Sequence, residues 1–237
     1  MTEKRYQGHR FEHERVLPST SVTHVRCDRV EFRNCNVGGF VKRAEEMVRI
    51  SHVRGTACRA RRCAAAQSII EDCVVDGLRA EGAPLFIWNS VFRRVSVRGR
   101  VTGLAVRLGP KVDPYWVDAL RDEYAKADDW AVDIRGAEFD DVSLEGVPGE
   151  RILRGPDDAI LERAQAAKLA RKDSMDPELG EAVAAARALV AGPFDAIVLP
   201  AWRASKRAAE RQGRLSRWAD AGWVPLDVSD GREGGGG

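Results

Sequence analysis

The chain has no apolar run of the roughly 20 residues that a membrane-spanning helix requires, so we expect no membrane span. Residues 1–19 are polar and lack the hydrophobic stretch of a secretory signal, which favours a cytoplasmic protein. Cysteine is scarce, with 5 in 237 residues, and such a chain is not expected to contain a disulfide framework. The cysteines lack CxxC spacing and only His9 and His13 lie close together, so we expect neither a metal nor a cofactor.

What the chain does contain is a hydrophobic pattern with a period of five, clearest in residues 48–85. Two columns of small or branched apolar residues run through this stretch, two positions apart, with mostly polar residues between them. The first column is Val48, Val53, Cys58, Cys63, Ser68, Cys73, Leu78 and Ala83. The second column is Ile50, Gly55, Ala60, Ala65, Ile70, Val75, Ala80 and Leu85.

A period of five matches neither an amphipathic helix nor a single strand, whose apolar residues recur at 3.6 and 2 positions. Two inward residues followed by outward ones suit short extended segments that turn a corner every five residues. Such a chain coils into a solenoid, in which each turn stacks on the previous one through parallel ladder hydrogen bonds. The sequence therefore predicts a mainly β fold with a β-solenoid.

Several quintets resemble the pentapeptide-repeat family, whose units have a small residue, a polar one, a central Leu or Phe and two more polar ones. They are Val30-Glu31-Phe32-Arg33-Asn34, Cys73-Val74-Val75-Asp76-Gly77, Ala137-Glu138-Phe139-Asp140-Asp141 and Val142-Ser143-Leu144-Glu145-Gly146. The chain departs from the family pattern because Cys or Val often replaces Ala and because Arg often precedes the central residue. The resemblance implies a right-handed, four-sided parallel β-helix, with a more irregular right-handed β-helix as the alternative.

All five cysteines fall on the inward columns, and we interpret them as small buried hydrophobic residues rather than as ligands. They are Cys27, Cys35, Cys58, Cys63 and Cys73.

The quintets divide the chain into four parts. Residues 1–18 form an N-terminal segment, 19–154 the β-solenoid, 155–225 a C-terminal helical cap and 226–237 a disordered, glycine-rich tail. A helix is expected to interrupt the solenoid at about 110–129, because Asp113-Pro114 is a helix start and Val117, Leu120 and Tyr124 follow at helical spacing. Trp116 and Trp130 are expected to anchor this helix on the solenoid.

Three helices and one short apolar run are predicted after residue 154. The first helix begins near Gly155, and the second lies between Asp176-Pro177 and Gly192-Pro193. Residues 196–199 are either a strand or a buried connection. The third helix, at about 201–221, has a stripe of arginines between Trp202 and Trp223 and is typical either of a nucleic-acid-binding helix or of a solvated face. The stripe consists of Arg203, Arg207, Arg211 and Arg214.

Charge is unevenly distributed although the net charge is only +2. Residues 22–108 carry 16 Lys or Arg against 8 Asp or Glu, whereas residues 109–176 carry 10 against 17. The first block is thus basic and the middle of the chain acidic, and either the two regions neutralise each other or the basic block attracts an anionic partner.

Catalytic motifs are missing: the chain contains no Walker loop and no GxGxxG, GxSxG or HExxH. Acidic pairs such as Asp128-Asp129 and Asp140-Asp141 are sequence neighbours, which is typical of turns. Asp72 and Asp76 near Arg94 are compatible with the Asp and Arg clusters of polysaccharide-cleaving β-helix enzymes, but turn residues are the favoured interpretation. We therefore assign no catalytic residue.

Two classes of function remain. The preferred hypothesis is a non-catalytic scaffold that presents a basic surface, with Arg49, Arg54 and Arg59 as candidate binding residues, to an acidic protein or a nucleic acid. Some members of the resembled family imitate duplex DNA, but that role requires an acidic surface and the basic first block argues against it. The alternatives are a carbohydrate-active or other β-helix enzyme, and a nucleic-acid-binding protein that uses the basic C-terminal helix.

Overall fold

A computed structural model describes residues 2–109, 114–127, 129–172, 179–201 and 203–222. The four helices of this part are α1 (Pro114–Ala125), α2 (Arg163–Leu169), α3 (Gly180–Ala191) and α4 (Ala208–Asp220), with single 3₁₀ turns at Ala44–Glu46 and Gly149–Arg151. The strands are β1 (Lys4–Gln7), β2 (Arg10–Glu12), β3 (Arg15–Val16), β4 (Ser21–Asp28), β5 (Glu31–Arg33), β6 (Asn36–Gly38), β7 (Val48–Arg61), β8 (Ala64–Ala66), β9 (Ser68–Glu71), β10 (Val74–Glu81), β11 (Leu85–Trp88), β12 (Val91–Arg93), β13 (Val95–Arg107), β14 (Val132–Ser143), β15 (Ile152–Leu153), β16 (Ala159–Glu162) and β17 (Ala196–Leu199).

Strands β1 to β15 belong to one parallel sheet, which confirms the prediction of a mainly β chain. One ladder runs through Arg26, Arg54, Val74 and Ser96. Successive partners in this ladder are 20 to 28 residues apart in the sequence. The long strand β13 pairs with β10 through its first half and with β11 through its second. The sheet therefore curls, because single strands continue from one ladder into the next.

The bends follow the period of five. Positive backbone φ angles between 48° and 79° occur at His52, Ala57, Arg62, Gln67, Asp72, Gly77 and Gly82. A non-glycine residue in this left-handed region costs about 1–2 kcal/mol, so the corners need compensating interactions. Ladder hydrogen bonds supply them: the backbone N of Gln67 donates to the O of Trp88 at 2.8 Å, and that of Asp72 to the O of Arg93 at 3.0 Å.

Parallel pairing starts earlier than the sequence predicted. The expected boundary was residue 19, but Lys4 already pairs with Val25, and strands β2 and β3 pair with β5 and β6. Tyr6, Phe11 and Val16, spaced by five and paired with Cys27, Phe32 and Val37, were the sequence signal for these strands that the expected boundary overlooked. Residues 4–16 therefore form the first strands of the curled sheet.

Helix α1 lies where the sequence placed an inserted helix, although Asp113 is outside the described residues. Its Trp116 is buried, as expected of an anchor, while Trp130 is half-buried. The hydroxyl of Tyr124 accepts a hydrogen bond from the backbone N of Phe92 at 3.2 Å. The helix thus covers the outer face of β9 and β12, where Ile69 and Val91 are 1% and 0% exposed although they point away from the concave face.

The C-terminal region, which was expected to be a helical cap with one possible strand, contains helices α2, α3 and α4 and a two-stranded sheet. Residues 159–162 form β16, antiparallel to β17, so the helix predicted from Gly155 begins only at Arg163. Strand β17 is the short apolar run that the sequence left open between strand and connection. Asp176-Pro177, where the sequence predicted the start of the second helix, and the predicted tail at 226–237 lie outside the described residues. In the described part, no helix is long and apolar enough to cross a membrane.

The hydrophobic core is concentrated toward the C-terminal end of the sheet. Val101, Ile134 and Phe139 are at most 1% exposed there. Inward residues nearer the N-terminus, such as Ile50 and Val53, remain only half-buried. The concave face is consequently well filled at one end and accessible at the other.

Candidate functional site

The three arginines that the sequence grouped, Arg49, Arg54 and Arg59, are exposed but face three directions. The corner residues His52 and Ala57 separate them, so the chain turns between each pair. Side chains on one side of the sheet belong to ladder partners 20 or more residues apart, not to residues five apart. The fold does not bring these three arginines into one surface.

Arg54 instead belongs to a row with Arg5 and Arg26, which we call the arginine row. Arg5 pairs with Arg26, and Arg26 with Arg54, on the adjacent strands β1, β4 and β7. Neighbouring strands are about 4.8 Å apart, so three exposed guanidinium side chains leave the sheet side by side. Like charges directly opposite each other are destabilising, and an anionic partner would relieve this repulsion.

The surface next to the arginine row is mixed in charge. The adjacent outward positions on β4 and β7 are Asp28 and Thr56, and the carboxylate of Asp28 contacts Arg29 at 3.3 Å. At the neighbouring corner the imidazole rings of His24 and His52 lie 4.9 Å apart.

Within the row, the guanidinium of Arg5 donates to the carboxylate of Glu3 at 2.7 Å, whereas no ion pair is seen for Arg26 or Arg54 among the described residues. The positive surface therefore spans three strands, with one of its three arginines already paired, and is bordered by carboxylates and two histidines.

Beyond β7 the charges on this part of the surface are paired. The guanidinium of Arg94 donates to Asp72 and to Glu71, each at 2.7 Å. The side-chain hydrogen bond from Arg94 holds the pKa of Asp72 below its usual value. A carboxyl that acts as a general acid needs a raised pKa. The lowered pKa of Asp72 is that of a structural ion pair instead. Asp76 is exposed on the same side of the sheet as Arg54, because it pairs with Thr56, the next outward residue on β7.

On the side of the sheet that carries Arg59, neighbouring arginines are also paired with carboxylates. Glu31, its ladder neighbour, accepts from Arg10 at 2.9 Å and from Arg33 at 2.6 Å. These hydrogen bonds, chiefly the one from Arg33, lower the pKa of the Glu31 carboxyl. Arg79, the partner of Arg59 on the other side, contacts a glutamate as well.

Arg49 lies on the side that helix α1 partly covers. A cleft of about 330 Å³ between the helix and the 44–49 segment is lined by Arg49 and by Glu45, Asp118 and Asp122. Because carboxylates of the same chain surround the guanidinium, this cleft is not suited to an anionic ligand.

The arginine stripe predicted on the third C-terminal helix is not a free surface, because Arg211 is 1% exposed and lies on the buried face of α4 with Leu215 and Trp218. Its guanidinium donates to the carboxylate of Glu181 and lies 5.7 Å from the Trp218 ring centre. Burial lowers the pKa of Arg211, and the nearby Glu181 carboxylate opposes that shift.

The other three arginines of the stripe are divided between two environments. Arg214 is half-buried and contacts Glu181 and Glu210 at 3.4 and 3.1 Å. Arg203 and Arg207 precede α4, which starts at Ala208 rather than near 201. Arg203 contacts Asp157 at 3.2 Å, and Arg207 alone of the four is exposed. The helix therefore presents no continuous basic face to a nucleic acid.

The cysteines lie where the sequence placed them, on the concave face, and all five are free thiols. Four of them follow a left-handed corner directly, and their Sγ atoms donate to the carbonyl O two residues earlier. The distances are 3.2 Å for Cys35, 3.6 Å for Cys58, 3.4 Å for Cys63 and 3.1 Å for Cys73. This hydrogen-bonding role was missed, although a serine in the same column was a signal for it.

The concave face encloses an apolar cavity of about 320 Å³, which the sequence did not predict. Cys27, Gly55, Val75, Val97 and Val132, from five successive strands, all line it. Unfilled apolar space of this kind costs free energy, because its lining side chains lack packing contacts on one side.

A wider cavity of about 760 Å³ continues this space at the N-terminal end of the sheet. The two share lining residues, among them Phe32, Val37 and Ile50. Polar side chains, including Lys4 and Arg15, also line the wider part. We call it the mouth of the interior cavity.

Among the described residues, no three His, Cys, Asp or Glu side chains are placed to hold a metal ion. No protein-family model, curated protein or solved structure matches the chain. Its function therefore has to be argued from the arginine row and the interior cavity.

Proposed function

We propose that the chain is a non-catalytic interaction scaffold whose arginine row binds an acidic protein segment. The observation that carries this proposal is the side-by-side register of Arg5, Arg26 and Arg54 on three adjacent strands. The three side chains leave a paired sheet at a fixed spacing, so binding of carboxylates requires little ordering of the backbone.

A right-handed β-helix of the pentapeptide-repeat type is the architecture that we propose for this scaffold. Left-handed corners at every fifth residue from His52 to Gly82 support it, as does the separation of 20 to 28 residues between ladder partners on β4, β7 and β10. A crystal structure tests both the handedness and the repeat of the coil. Left-handed coiling would contradict the proposed family type.

An acidic polypeptide fits the arginine row better than a nucleic acid does. The row covers three strands, or about 10 Å. Asp28 and the ion-paired Asp72 flank it, and these carboxylates would repel the phosphates of a longer polyanion. A peptide can place its acidic side chains on the row and neutral ones beside Asp28.

The experiment is a titration of a short, fluorescently labelled peptide, in which glutamates alternate with glycines, with the full chain at low salt, followed by anisotropy. The double variant Arg26→Glu/Arg54→Glu reverses the charge of two of the three arginines in the row, and Arg61→Glu/Arg79→Glu makes the same change in net charge on another exposed side. We expect affinity to fall at least tenfold in the first variant and less than threefold in the second.

Three results would contradict the proposal. Equal losses in the two double variants would show that net charge, not the row, governs binding. An absence of binding to the unmodified chain would exclude the row as an acidic-peptide site. Tighter binding of a DNA duplex than of the glutamate-glycine peptide through the same two arginines would favour the nucleic-acid alternative.

A further inference from the structure

The interior cavity is long and narrow. Its lining runs across β4, β7, β10, β13 and β14, which are successive partners in the sheet. Four strand spacings of about 4.8 Å give a length of roughly 19 Å. A volume of about 320 Å³ distributed over that length leaves room for a single extended chain rather than a ring system.

The cavity exists because small residues occupy inward positions beside larger ones. Ala65 lies in its row between the larger Val37 and Ile87, and Ala60 follows Phe32 and is itself followed by a second alanine, Ala80. A leucine or phenylalanine at these two positions would fill much of the space. The sequence therefore keeps the interior open at a cost in packing.

The chemistry of the lining excludes a polar occupant. The side chains are aliphatic apart from Phe32, Phe92 and the cysteines, and the Sγ atoms of Cys58, Cys63 and Cys73 already donate to backbone carbonyls. Water in such a space lacks the two to four polar partners that it needs. An apolar cavity of about 150 Å³ holds benzene, so this one holds about a dozen carbon atoms.

The mouth supplies a site for one anionic head group. Lys4 occupies the ladder position equivalent to Val25 and Val53, whose side chains line the mouth. Arg15 also lines the mouth, and Glu14 is the acidic residue there. A long aliphatic ligand can therefore place its terminal charge beside Lys4 while its chain occupies the apolar interior.

From this shape and chemistry we infer that the interior cavity binds one linear fatty acid. Its alkyl chain lies along the concave face, and its carboxylate lies at the mouth beside Lys4 and Arg15. This site is separate from the arginine row, whose side chains point outward from the same strands.

The test is isothermal titration calorimetry of the full chain with dodecanoate, dodecan-1-ol and dodecanedioate. Dodecanoate is expected to bind once per chain, with a dissociation constant in the micromolar range. Dodecanedioate is expected to bind at least tenfold more weakly, because its second carboxylate would have to enter the apolar interior. Lys4→Glu is expected to weaken dodecanoate and to leave dodecan-1-ol unchanged.

Ala65→Leu fills the cavity, and Thr56→Leu is its matched control on an exposed, outward position of β7. We expect the affinity of Ala65→Leu for dodecanoate to fall at least tenfold while its melting temperature rises. Thr56→Leu should bind dodecanoate as the unmodified chain does. Equal binding by both variants would place the ligand outside the cavity and overturn the inference. An absence of dodecanoate binding to the unmodified chain would also overturn the inference. Equal binding of dodecanoate and dodecanedioate to the unmodified chain would do the same, without the need for a variant.

Discussion

Ser68 and Cys73 occupy equivalent positions on consecutive sides of the curled sheet and make the same hydrogen bond. The Oγ of Ser68 donates to the carbonyl O of Ala66 at 3.2 Å, and the Sγ of Cys73 donates to that of Glu71 at 3.1 Å. Each follows a left-handed residue, Gln67 or Asp72. A small side chain with one hydrogen to donate therefore satisfies a carbonyl at the inside of a corner.

This equivalence predicts that Cys73→Ser keeps the corner intact. We expect the free energy of unfolding to change by less than about 1 kcal/mol, whereas Cys73→Leu should lower it by about 1–3 kcal/mol through overpacking and loss of the donor. Urea denaturation measures both values. A larger loss for serine than for leucine would mean that the thiol acts only through its apolar volume.

Phe92→Asp tests the assignment of inward positions. Phe92 is 5% exposed and lines the interior cavity, so a carboxylate there has no partner and should unfold at least the adjoining strands. The exposed position Arg54 provides the comparison, since Arg54→Ser should cost less than about 0.5 kcal/mol. Circular dichroism melting distinguishes the two. A Phe92→Asp protein that melted normally would show that this side chain faces water.

The buried thiols predict a loss of stability at alkaline pH. Burial raises the pKa of Cys27 to about 11, and it raises the pKa of Cys58 and Cys73 as well. The unfolded chain releases these protons near the ordinary thiol pKa, about 8.5, while the folded chain retains them. Their contribution to stability is therefore complete below about pH 8 and declines as the pH rises toward 11.

Urea midpoints at pH 7.5, 9 and 10 measure this decline. Cys27→Val removes one of the thiols, and its midpoint should fall less between pH 7.5 and 10 than that of the unmodified chain. If the urea midpoint fell equally with pH in the two proteins, groups other than Cys27 would cause the loss of stability at alkaline pH.

Substitution of Arg211 and of Arg207 by alanine is expected to change stability by very different amounts, although the sequence placed both in one stripe. Arg211→Ala leaves Glu181 without its closest cation and removes the contact with Trp218, so we expect a loss of about 2–4 kcal/mol. Arg207→Ala changes an exposed side chain and should cost less than about 0.5 kcal/mol. Chemical denaturation of both variants gives the comparison. Similar losses would contradict the burial of Arg211.

The candidate binding residues show where reasoning from the sequence stopped. A period of five places Arg49, Arg54 and Arg59 at equivalent positions, and their outward direction agrees with their exposure. Which residues become neighbours depends on the number of residues between ladder partners. That number varies from 19 to 38, because the 39–47 segment and the inserted helix α1 extend some intervals.

By itself the sequence determined the β class, the inward columns and the inserted helix, because these depend on the spacing of apolar residues along a few consecutive positions. Only the tertiary structure decided that Arg5 joins Arg26 and Arg54, that Arg211 is buried against Glu181, and that small inward residues leave a continuous cavity. These are properties of segments far apart in the chain, and their register is set by strand pairing and loop length, which no local pattern encodes.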